Sequence, residues 1–530
     1  MCLLLSFMSF LTYGQFSDSE ILDYNYASAV INDDGSFFFN RTDEMRGYEI
    51  PKGTGLSTIF VSSIIIGAMD DVGLPHISVG STDKAHVYSQ FQSGPVAFPT
   101  DYSSSNYQAK YQKSVWKISE DEINYHINHW QDFGYEPSPS ILNWPGNGDV
   151  SMGIADRLAP YIDVNNDGVY TPLEGDYPEI RGHDAVYVII NDDKLNSVNK
   201  LKIEVHLMFY QYHTGNYLSN TTFLYTQVFN RSTKDYHNFR ESIYFDFDIG
   251  FSEDDLFGCD SSSNLAYIYN GDNFDESDAG TLGYGTIPPC QGITSLSHDV
   301  YATGYYLNGE TYPYNNEESH FDSTLWNHMN ARWNDTLPWT YGGNGLDSTL
   351  SNPSTNFIYN GNPYANTGWT EMNVFNGLGN ASGDRRGMIT IAENEFPADA
   401  SVCADFAYIY DRSSTHLRNV QNVINIAEAI QRLYSIQVDQ PCNSANYIGL
   451  EETDKTAVKI SPNPTTSLTQ ITFHNSARRR IKVMDAAGKL FDSFEINSNS
   501  CVLNFNDKTG VFFISIESEK GVDVERIVVE

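Results

Sequence analysis

The segment from Asp163 to Asp176 has the residue spacing of a calcium-binding loop. It reads Asp163-Val-Asn165-Asn-Asp167-Gly168-Val169-Tyr-Thr-Pro-Leu-Glu174-Gly-Asp176. Ca²⁺ takes six to eight oxygen ligands, and an EF-hand loop supplies them from alternate positions, with Gly at the bend and a closing carboxylate. The predicted ligands of a structural Ca²⁺ are Asp163, Asn165, Asp167, the Val169 carbonyl, and Glu174 or Asp176. Pro172 departs from the pattern and no helix follows, so an acidic turn without an ion is the alternative.

A second acidic group follows about seventy residues later. Its members are Asp246, Asp248, Glu253, Asp254, Asp255 and Asp260, and the nearby Asn270, Asp272, Asn273 and Asp275 could close the same site or simply form turns. Paired carboxylates can perform general acid–base chemistry on a glycosidic bond, and they can also bind Ca²⁺. A solvated acidic face is the third interpretation. The spacing does not choose among the three.

Alternating apolar residues predict the strands that would position these carboxylates. The predicted strands are Leu201–Tyr210, Thr221–Phe229 and Glu241–Ile249. In the third, alternation predicts one face with Ile243, Phe245, Phe247 and Ile249, and an opposite face with Glu241, Tyr244, Asp246 and Asp248. Helix is predicted only at Glu120–Trp130, behind a Ser119 cap, and at Leu417–Leu433. The fold class is therefore mainly β, with a large antiparallel β-sandwich-like body and few helices.

Two further patterns involve arginine and cysteine. Asp384-Arg385-Arg386 lies between Gly383 and Gly387, and it could clamp a carboxylate or open a strand while pairing with its acidic neighbours.

Among the cysteines, sequence proximity favours Cys259–Cys290 and Cys403–Cys442, with Cys501 as a buried thiol; three pairings of the four are possible.

Composition excludes several classes of function. The chain has 530 residues, with 31 Lys and Arg against 68 Asp and Glu, and a net charge of −37. We expect no nucleic-acid partner and no anionic membrane, because such a surface repels polyphosphates. The 35 Tyr and 30 Phe argue against disorder. No apolar run of about 20 residues predicts a transmembrane helix.

Both ends of the sequence indicate export. Residues 1–14 are predicted to be a signal peptide, although no basic residue precedes their apolar stretch. A β-rich body is expected over 15–449, with a possible boundary near 150, followed by a linker over 450–457. The last module, 458–530, has nine basic and nine acidic residues, so the body carries the whole net charge. Short apolar runs separated by turns predict a small antiparallel sandwich here.

The last module resembles the type A C-terminal sorting domain of the type IX secretion system of Bacteroidota. The resemblance lies in Ile460-Ser-Pro-Asn-Pro-Thr465, Ile481–Gly488, Gly510–Ile516 and Glu525–Val529. Its motif positions are Pro462, Asn463, Pro464, Gly488 and Gly510. The resemblance implies an immunoglobulin-like β-sandwich read by the secretion machinery, and a secreted or surface-anchored protein. A plain fibronectin-like module is the alternative.

The body resembles large uncharacterised exported proteins of the same phylum. Shared motifs include Gly175-Asp-Tyr-Pro178, Phe257-Gly-Cys-Asp260 and Gly383–Gly387, within residues 150–390. That resemblance implies no activity. We expect the body to bind an extracellular ligand such as polysaccharide through exposed aromatic residues rather than to catalyse a reaction. A polysaccharide hydrolase with carboxylates near 241–260, and a purely structural surface protein, are the alternatives.

Overall fold

The computed structural model describes most of the chain. The described residues are 19–42, 44–80, 89–98, 102–193, 200–278, 280–307, 322–374, 378–436, 442, 459–485, 489–505, 508–518 and 521–529. The predicted signal peptide and the predicted linker lie outside these residues, as does Gly488.

Short strands make up the first part of the body. They are β1 Ser19–Leu22, β2 Ser28–Asn32, β3 Ser36–Phe37, β4 Phe39–Asn40, β5 Met45–Arg46, β6 Tyr48–Glu49, β7 Ser57–Ile59, β8 Val61–Met69, β9 Pro75–Val79 and β10 Gln92–Ser93. Helices then alternate with longer strands: α1 Ser105–Tyr111, β11 Val115–Ser119, α2 Glu120–His129, α3 Pro139–Leu142, β12 Tyr161–Ile162, β13 Tyr177–Pro178, β14 Asp184–Asn191, β15 Ile203–Gln211, β16 Thr221–Asn230 and β17 Tyr236–Asp246.

The rest of the body and the C-terminal module are also rich in strands. The body continues with β18 Asp255–Asp260, β19 Leu265–Asn270, β20 Phe274–Asp275, β21 Gly285–Thr286, β22 Cys290–Ser295, β23 Ala302–Leu307, α4 Asp322–Met329, β24 Gly361–Asn362, β25 Thr367–Gly368, β26 Arg385–Phe396, β27 Ser401–Asp411 and α5 His416–Ile436. The module contains β28 Lys459–Ser461, β29 Leu468–Asp485, β30 Leu490–Asn504, β31 Gly510–Ser518 and β32 Gly521–Val529.

Two large antiparallel sheets form the body. The first sheet has the order β23-β26-β17-β8-β3-β2-β6-β7, with β1 beside β2 and β9 beside β8. The second has the order β10-β14-β15-β16-β27-β22-β19-β18, with β11 beside β14. One apolar core contains Ile64 and Ile243 of the first sheet together with Leu207 and Phe406 of the second. The predicted mainly β, sandwich-like body is therefore confirmed.

Helices cover the outer faces of both sheets. Val423 and Ala427 of α5 pack with Tyr267 and Ile409 of the second sheet, and Met329 of α4 packs on the first sheet. The two predicted helices are confirmed as α2 and α5. Ser119 caps α2 with a capping box, as its position before the helix indicated.

The predicted alternation in β17 holds with one exception. Ile243, Phe245, Phe247 and Ile249 all lie in the core between the sheets. The prediction for Glu241 is wrong, because side chains alternate with a period of two and an odd-numbered residue shares the face of Ile243. Its carboxylate is buried and accepts a hydrogen bond from Thr226 Oγ1 of the second sheet at 2.5 Å.

One of the two predicted disulfides is present. Cys403 and Cys442 are bonded, with a Cα–Cα distance of 5.4 Å. The predicted Cys259–Cys290 bond is wrong, and both residues are free buried thiols. They lie on β18 and β22, on either side of β19, and Cys259 faces the core between the sheets whereas Cys290 faces the helix-covered side.

The C-terminal module has its own sheet and its own core. Its strands pair in the order β28-β29-β31-β32, with β30 beside β29. The long strands β29 and β30 shift register between Thr472 and Ala477. Ile471, Ile481 and Ile514 are among the residues that form its apolar interior. The predicted small antiparallel β module is confirmed, and its described strands form one five-stranded sheet.

Two further expectations concern boundaries and membranes. Strands β11 and β14, from either side of residue 150, pair in one sheet; the proposed boundaries stay predictions. Within the described part of the chain, no helix combines the length and apolar character needed to cross a bilayer.

Candidate functional site

Three carboxylates converge at one end of the first sheet. Asp246 is the last residue of β17, Asp248 follows it by two positions, and Asp384 immediately precedes β26. One oxygen from each lies within 4.8 Å of the others, and among the described residues this is the only such group of three His, Cys, Asp or Glu side chains. Because β17 and β26 are neighbours, the sheet pairing itself brings Asp384 to Asp246 and Asp248.

Two arginines stand beside the three carboxylates. Arg386 lies opposite Asp246 in the β17–β26 register, and its Nε is 3.2 Å from Asp246 Oδ2. Arg46, on β5, donates from Nη2 to Asp248 Oδ2 at 2.9 Å, and from Nη1 to the Gly250 carbonyl. The sequence indicated that Arg386 would pair with acidic neighbours. No pattern singled out Arg46, because its partner lies about 200 residues away.

The three carboxylates form part of the lining of an open cavity of about 760 Å³. Acidic residues outnumber basic ones: six carboxylates line it against two guanidinium groups. The acidic residues are Glu44, Glu49, Asp246, Asp248, Asp278 and Asp384. Phe60 and Leu56 supply apolar surface, and Ser57, Ser252 and Thr281 supply hydroxyl groups. The cavity is therefore polar, negatively charged and large enough for a small ligand.

Burial opposes the charge on Asp248. Only 7% of Asp248 is exposed, and its Oδ1 has no hydrogen-bond donor among the described residues. Desolvation raises the pKa of Asp248 to about 6; Arg46 opposes this shift, whereas the charge of Asp384 adds to it. A cation beside Asp248 would favour the ionised carboxylate and supply the missing partner for Oδ1.

The remaining residues of the predicted acidic group do not join the three carboxylates. Asp260 lies at the far end of β18 from Asp255, roughly 16 Å away at about 3.3 Å per residue. Its carboxylate caps the following turn by accepting from the Ser262 and Ser263 amides at 2.9 and 3.2 Å. Asp254 ends the turn Ser252–Asp254 and Asp255 begins β18, and neither is among the residues that line the cavity.

In the predicted calcium loop, hydrogen bonds link several of the expected ligands, but Asp163, Asp167 and Glu174 do not form a group with one oxygen of each within 4.8 Å of the others. Asn165 Nδ2 donates to Asp167 Oδ2 at 3.0 Å and to Glu174 Oε2 at 2.7 Å. Asp163 accepts from the amides of Asp167 and Gly168 at 3.2 and 2.7 Å. Gly168 has φ of +79°, as expected for the bend. Asn165 thus bridges two of the carboxylates that were expected to bind the ion.

Asp176 has a different environment from the other predicted ligands. It is fully buried, and its two oxygens accept from the Val164 amide at 2.8 Å and the Thr171 amide at 2.7 Å. Glu174 is therefore better placed than Asp176 to close a cation site. The Val169 carbonyl was expected to serve as a ligand. The Val169 amide donates to Asp167 Oδ1 at 2.8 Å, and this hydrogen bond helps to hold the bend.

The motif residues of the C-terminal module hold its first segment on its last strand. Asn463 Nδ2 donates to the Arg526 carbonyl at 2.8 Å, and the Val528 amide donates to Asn463 Oδ1 at 2.9 Å. The Pro462 carbonyl accepts from Thr469 Oγ1 at 2.7 Å. Pro464 follows Asn463 directly, and Gly510 begins β31. The Pro-Asn-Pro segment therefore joins the two ends of the module.

Comparison with known families bears on this module. The secretion system C-terminal sorting domain matches residues 459–530. The protein is exported by the type IX secretion system. It is therefore secreted or attached to the cell surface, as the resemblance implied.

Comparisons give much less information about the body. No curated protein matches the chain. A solved Bacteroides polysaccharide lyase is similar at 6% sequence identity with a TM-score of 0.20, over 71% of this chain and 37% of the enzyme. The chain thus spans little more than a third of that enzyme, and so low a TM-score supports no argument. The resemblance of residues 150–390 to uncharacterised exported proteins stays a prediction.

The exposed aromatic side chains of the body are Tyr and Phe rather than Trp, and they include Tyr26, Tyr125, Phe133, Tyr341 and Tyr364. None of the seven Trp side chains, all within the described residues, is among the exposed large apolar side chains. Trp144, Trp333, Trp339 and Trp369 are buried. Most of the indole surface therefore serves packing rather than stacking on a ligand.

Proposed function

We propose that the body of this exported protein binds a divalent cation at Asp246, Asp248 and Asp384, and through it a hydroxyl-rich extracellular ligand such as a polysaccharide. The observation that carries the proposal is the convergence of three carboxylates at an open cavity. Like charges at this distance repel, and burial strengthens the repulsion. A cation converts that repulsion into binding energy.

Ca²⁺ fits this set of ligands better than Mg²⁺. Ca²⁺ accepts six to eight oxygens in flexible geometry, whereas Mg²⁺ requires a small octahedron and keeps several waters. Three carboxylates leave several positions open on the cavity side. Sugar hydroxyl groups could fill them, and Ser57, Ser252 and Thr281 could hydrogen-bond the rest of the ligand. The surplus of carboxylates in the cavity disfavours an anionic ligand unless the cation bridges it.

Hydrolysis is the second candidate function. The raised pKa of Asp248, about 6, is a property of general acids. The carboxyl groups of glycosidases are about 5–5.5 Å apart in retaining enzymes and about 6.5–9.5 Å apart in inverting enzymes. At this site three carboxylates each bring an oxygen within 4.8 Å of the others, and because the glycosidase mechanism uses two carboxyl groups, the third favours a shared cation.

Calorimetric titration of the mature chain with Ca²⁺ tests the cation site. We expect Asp384→Asn to weaken binding at this site by at least tenfold, which corresponds to about 1.4 kcal/mol. The exposed Glu136→Gln is the matched control, because it removes one carboxylate far from the cavity in sequence and should leave the titration unchanged. Identical titrations for wild type and Asp384→Asn would remove this site.

Glycan arrays probed with and without EDTA test the ligand. Binding to a glycan that EDTA abolishes, without release of sugar, is the expected result. Release of reducing sugar that is lost in Asp248→Asn would favour hydrolysis. Ca²⁺ binding without binding to any glycan would limit the function to the cation alone.

We also propose that the loop from Asp163 to Glu174 binds a structural Ca²⁺. Support comes from the approach of Asn165, Asp167 and Glu174 to one another and from the bend at Gly168.

A further inference from the structure

A second group of oxygen-bearing side chains begins on the turn whose first residue, Ser252, lines the cavity. Asp254 ends a short turn of helix, Ser252–Asp254, and Asp255 begins β18. Asn270, at the end of β19, is the direct cross-strand partner of Asp255. The Gly271 amide donates to the Asp254 carbonyl at 2.6 Å, so the two segments are fastened together at this point.

Four oxygens of this group are buried and have no well-aligned hydrogen-bond donor among the described residues, although the side chains of Asn270 and Glu276 approach Asp254 closely enough to affect its pKa. The four oxygens are both carboxylate oxygens of Asp254, Oδ1 of Asp255 and Oδ1 of Asn270. Asp255 and Asn270 are 0% exposed. Asn270 shows the orientation most clearly, because its Nδ2 donates to the carbonyls of Asp272 and Phe274 at 3.3 and 3.2 Å while its Oδ1 has no donor. A buried acceptor without a donor is costly, on the order of 1–3 kcal/mol.

The group contains acceptors but no compensating positive charge. In the described part of the chain, neither Asp254 nor Asp255 forms an ion pair with Lys or Arg. Burial, and after it contact with Glu276 and the charge of Asp275, raise the pKa of Asp254 to about 8. Burial and the charge of Asp254 raise the pKa of Asp255 well above its usual range. The described part of the protein thus supplies oxygens here without a basic side chain to balance their charge.

The backbone around this group makes close contacts with its carboxylates. Asp255 Oδ2 accepts from the Ile249 amide at 3.0 Å, and Asp275 Oδ1 accepts from the Phe251 amide at 2.9 Å. Gly250 has φ of +52°, and a Cβ there would lie 2.0 Å from Asp275 Oδ2. Both oxygens of Asp275 accept backbone amides, since Oδ2 accepts from Tyr284, whereas Asp255 keeps Oδ1 without a backbone donor.

We infer that Asp254, Asp255 and Asn270 bind a second, buried divalent cation, separate from the cation at Asp246, Asp248 and Asp384. An all-oxygen set with few waters is the chemistry of Ca²⁺. This inference does not rest on the proposed function of the cavity. Protonated carboxyl groups are the competing explanation: a proton on Asp254 or Asp255 could be donated to Asn270 Oδ1, and the metal-binding experiments below distinguish this arrangement from a bound cation.

The second cation would also shape the cavity. Ser252, on the turn that carries Asp254, lines the cavity, as do Asp278 and Thr281 on the chain that follows Asn270. A cation that joins Asp254 to Asn270 would hold both segments in place. Ligand binding in the cavity would then depend on two cations with separate roles.

Calorimetric titration of the EDTA-dialysed mature chain with Ca²⁺ distinguishes the two sites by stoichiometry. We expect Asp254→Asn and Asp384→Asn each to bind one equivalent of Ca²⁺ fewer than wild type. Because the two sites are separate, the double variant should bind two equivalents fewer. Glu253→Gln, an exposed neighbour on the same turn, should keep every equivalent. If Asp254→Asn binds as many equivalents as wild type, the second site is refuted, whatever Asp384→Asn shows.

Crystals of wild type soaked in Tb³⁺ provide a test that does not depend on the folding of a variant. We expect an anomalous peak about 2.3–2.6 Å from Asp255 Oδ1 and Asn270 Oδ1, the usual range for Ca²⁺–oxygen bonds. A peak only at Asp246, Asp248 and Asp384 would overturn the second site and leave the cavity site standing.

Discussion

Glu241 is a carboxylic acid placed inside an apolar core. It lies between the two sheets, is fully buried, and has one neighbour that can donate a hydrogen bond, Thr226. Burial raises the pKa of Glu241 to about 8, and the charge of Asp405 adds to the shift. The folded protein therefore keeps this proton at a pH where the unfolded chain has lost it. The resulting stability is complete below about pH 4.5 and falls as the pH rises towards 8.

Glu241→Gln should remove most of this pH dependence. The amide is uncharged at every pH, so between pH 4.5 and 8 the free energy of unfolding should fall less in the variant. The difference is on the order of 4 kcal/mol, from roughly three pKa units at about 1.4 kcal/mol each. Urea denaturation at both pH values measures it, with the exposed Glu136→Gln as control. Parallel pH profiles for wild type and Glu241→Gln would show that Glu241 does not retain the proton.

At the scale of elements, the predicted calcium loop is attached to the helix-covered side of the second sheet. Tyr170, within the loop, exchanges two hydrogen bonds with Asn147, at 2.9 and 3.0 Å. Its ring packs with Tyr161 of β12. A cation in the loop would therefore stabilise the contacts between these segments as well as the loop.

Asp163→Ala should reduce the stabilisation that Ca²⁺ gives to the body. A ligand at a hundred times its Kd adds about 2.7 kcal/mol to the free energy of unfolding. We expect the melting temperature of wild type to rise on addition of Ca²⁺ and fall with EGTA, and the rise to be smaller in Asp163→Ala. Scanning calorimetry measures both, and Glu136→Gln should behave as wild type. An equal rise in Asp163→Ala would exclude the loop as a cation site.

At the scale of the whole molecule, charge is divided between the body and the sorting domain. Residues 458–530 have equal numbers of acidic and basic residues, so the net charge of −37 belongs to the rest of the chain. Deletion of 459–530 should abolish export, because the secretion machinery recognises this domain. We expect extracellular protein to fall by at least tenfold while the truncated chain accumulates inside the cell envelope.

Immunoblotting of culture medium, cell surface and periplasm measures that distribution. Glu136→Gln in the full-length chain is the control for expression. Unchanged extracellular amounts of the truncated chain would show that residues 459–530 are not required for export.

Sequence patterns among neighbouring residues predicted more of this structure than patterns that link residues far apart in the chain. Ser119 before an acidic turn predicted the start of α2, and apolar spacing predicted α5, because caps and helical faces depend on residues three or four positions apart. The two cysteine predictions show the limit of the same reasoning. Cys403 and Cys442 are joined, whereas Cys259 and Cys290 are equally plausible neighbours in sequence but lie on opposite faces of one sheet.

By itself, the sequence determined the class of the fold, the sorting domain and the helices α2 and α5, since each depends on a contiguous run of residues. Only the tertiary structure decided which carboxylates meet. It joined Asp384 to Asp246 and Asp248 through neighbouring strands, added Arg46, and separated Asp260 from Asp255 along β18. It also placed Glu241 between the sheets. The physical reason is that strand pairing joins residues hundreds of positions apart, and no local preference of a residue specifies its partner across a sheet.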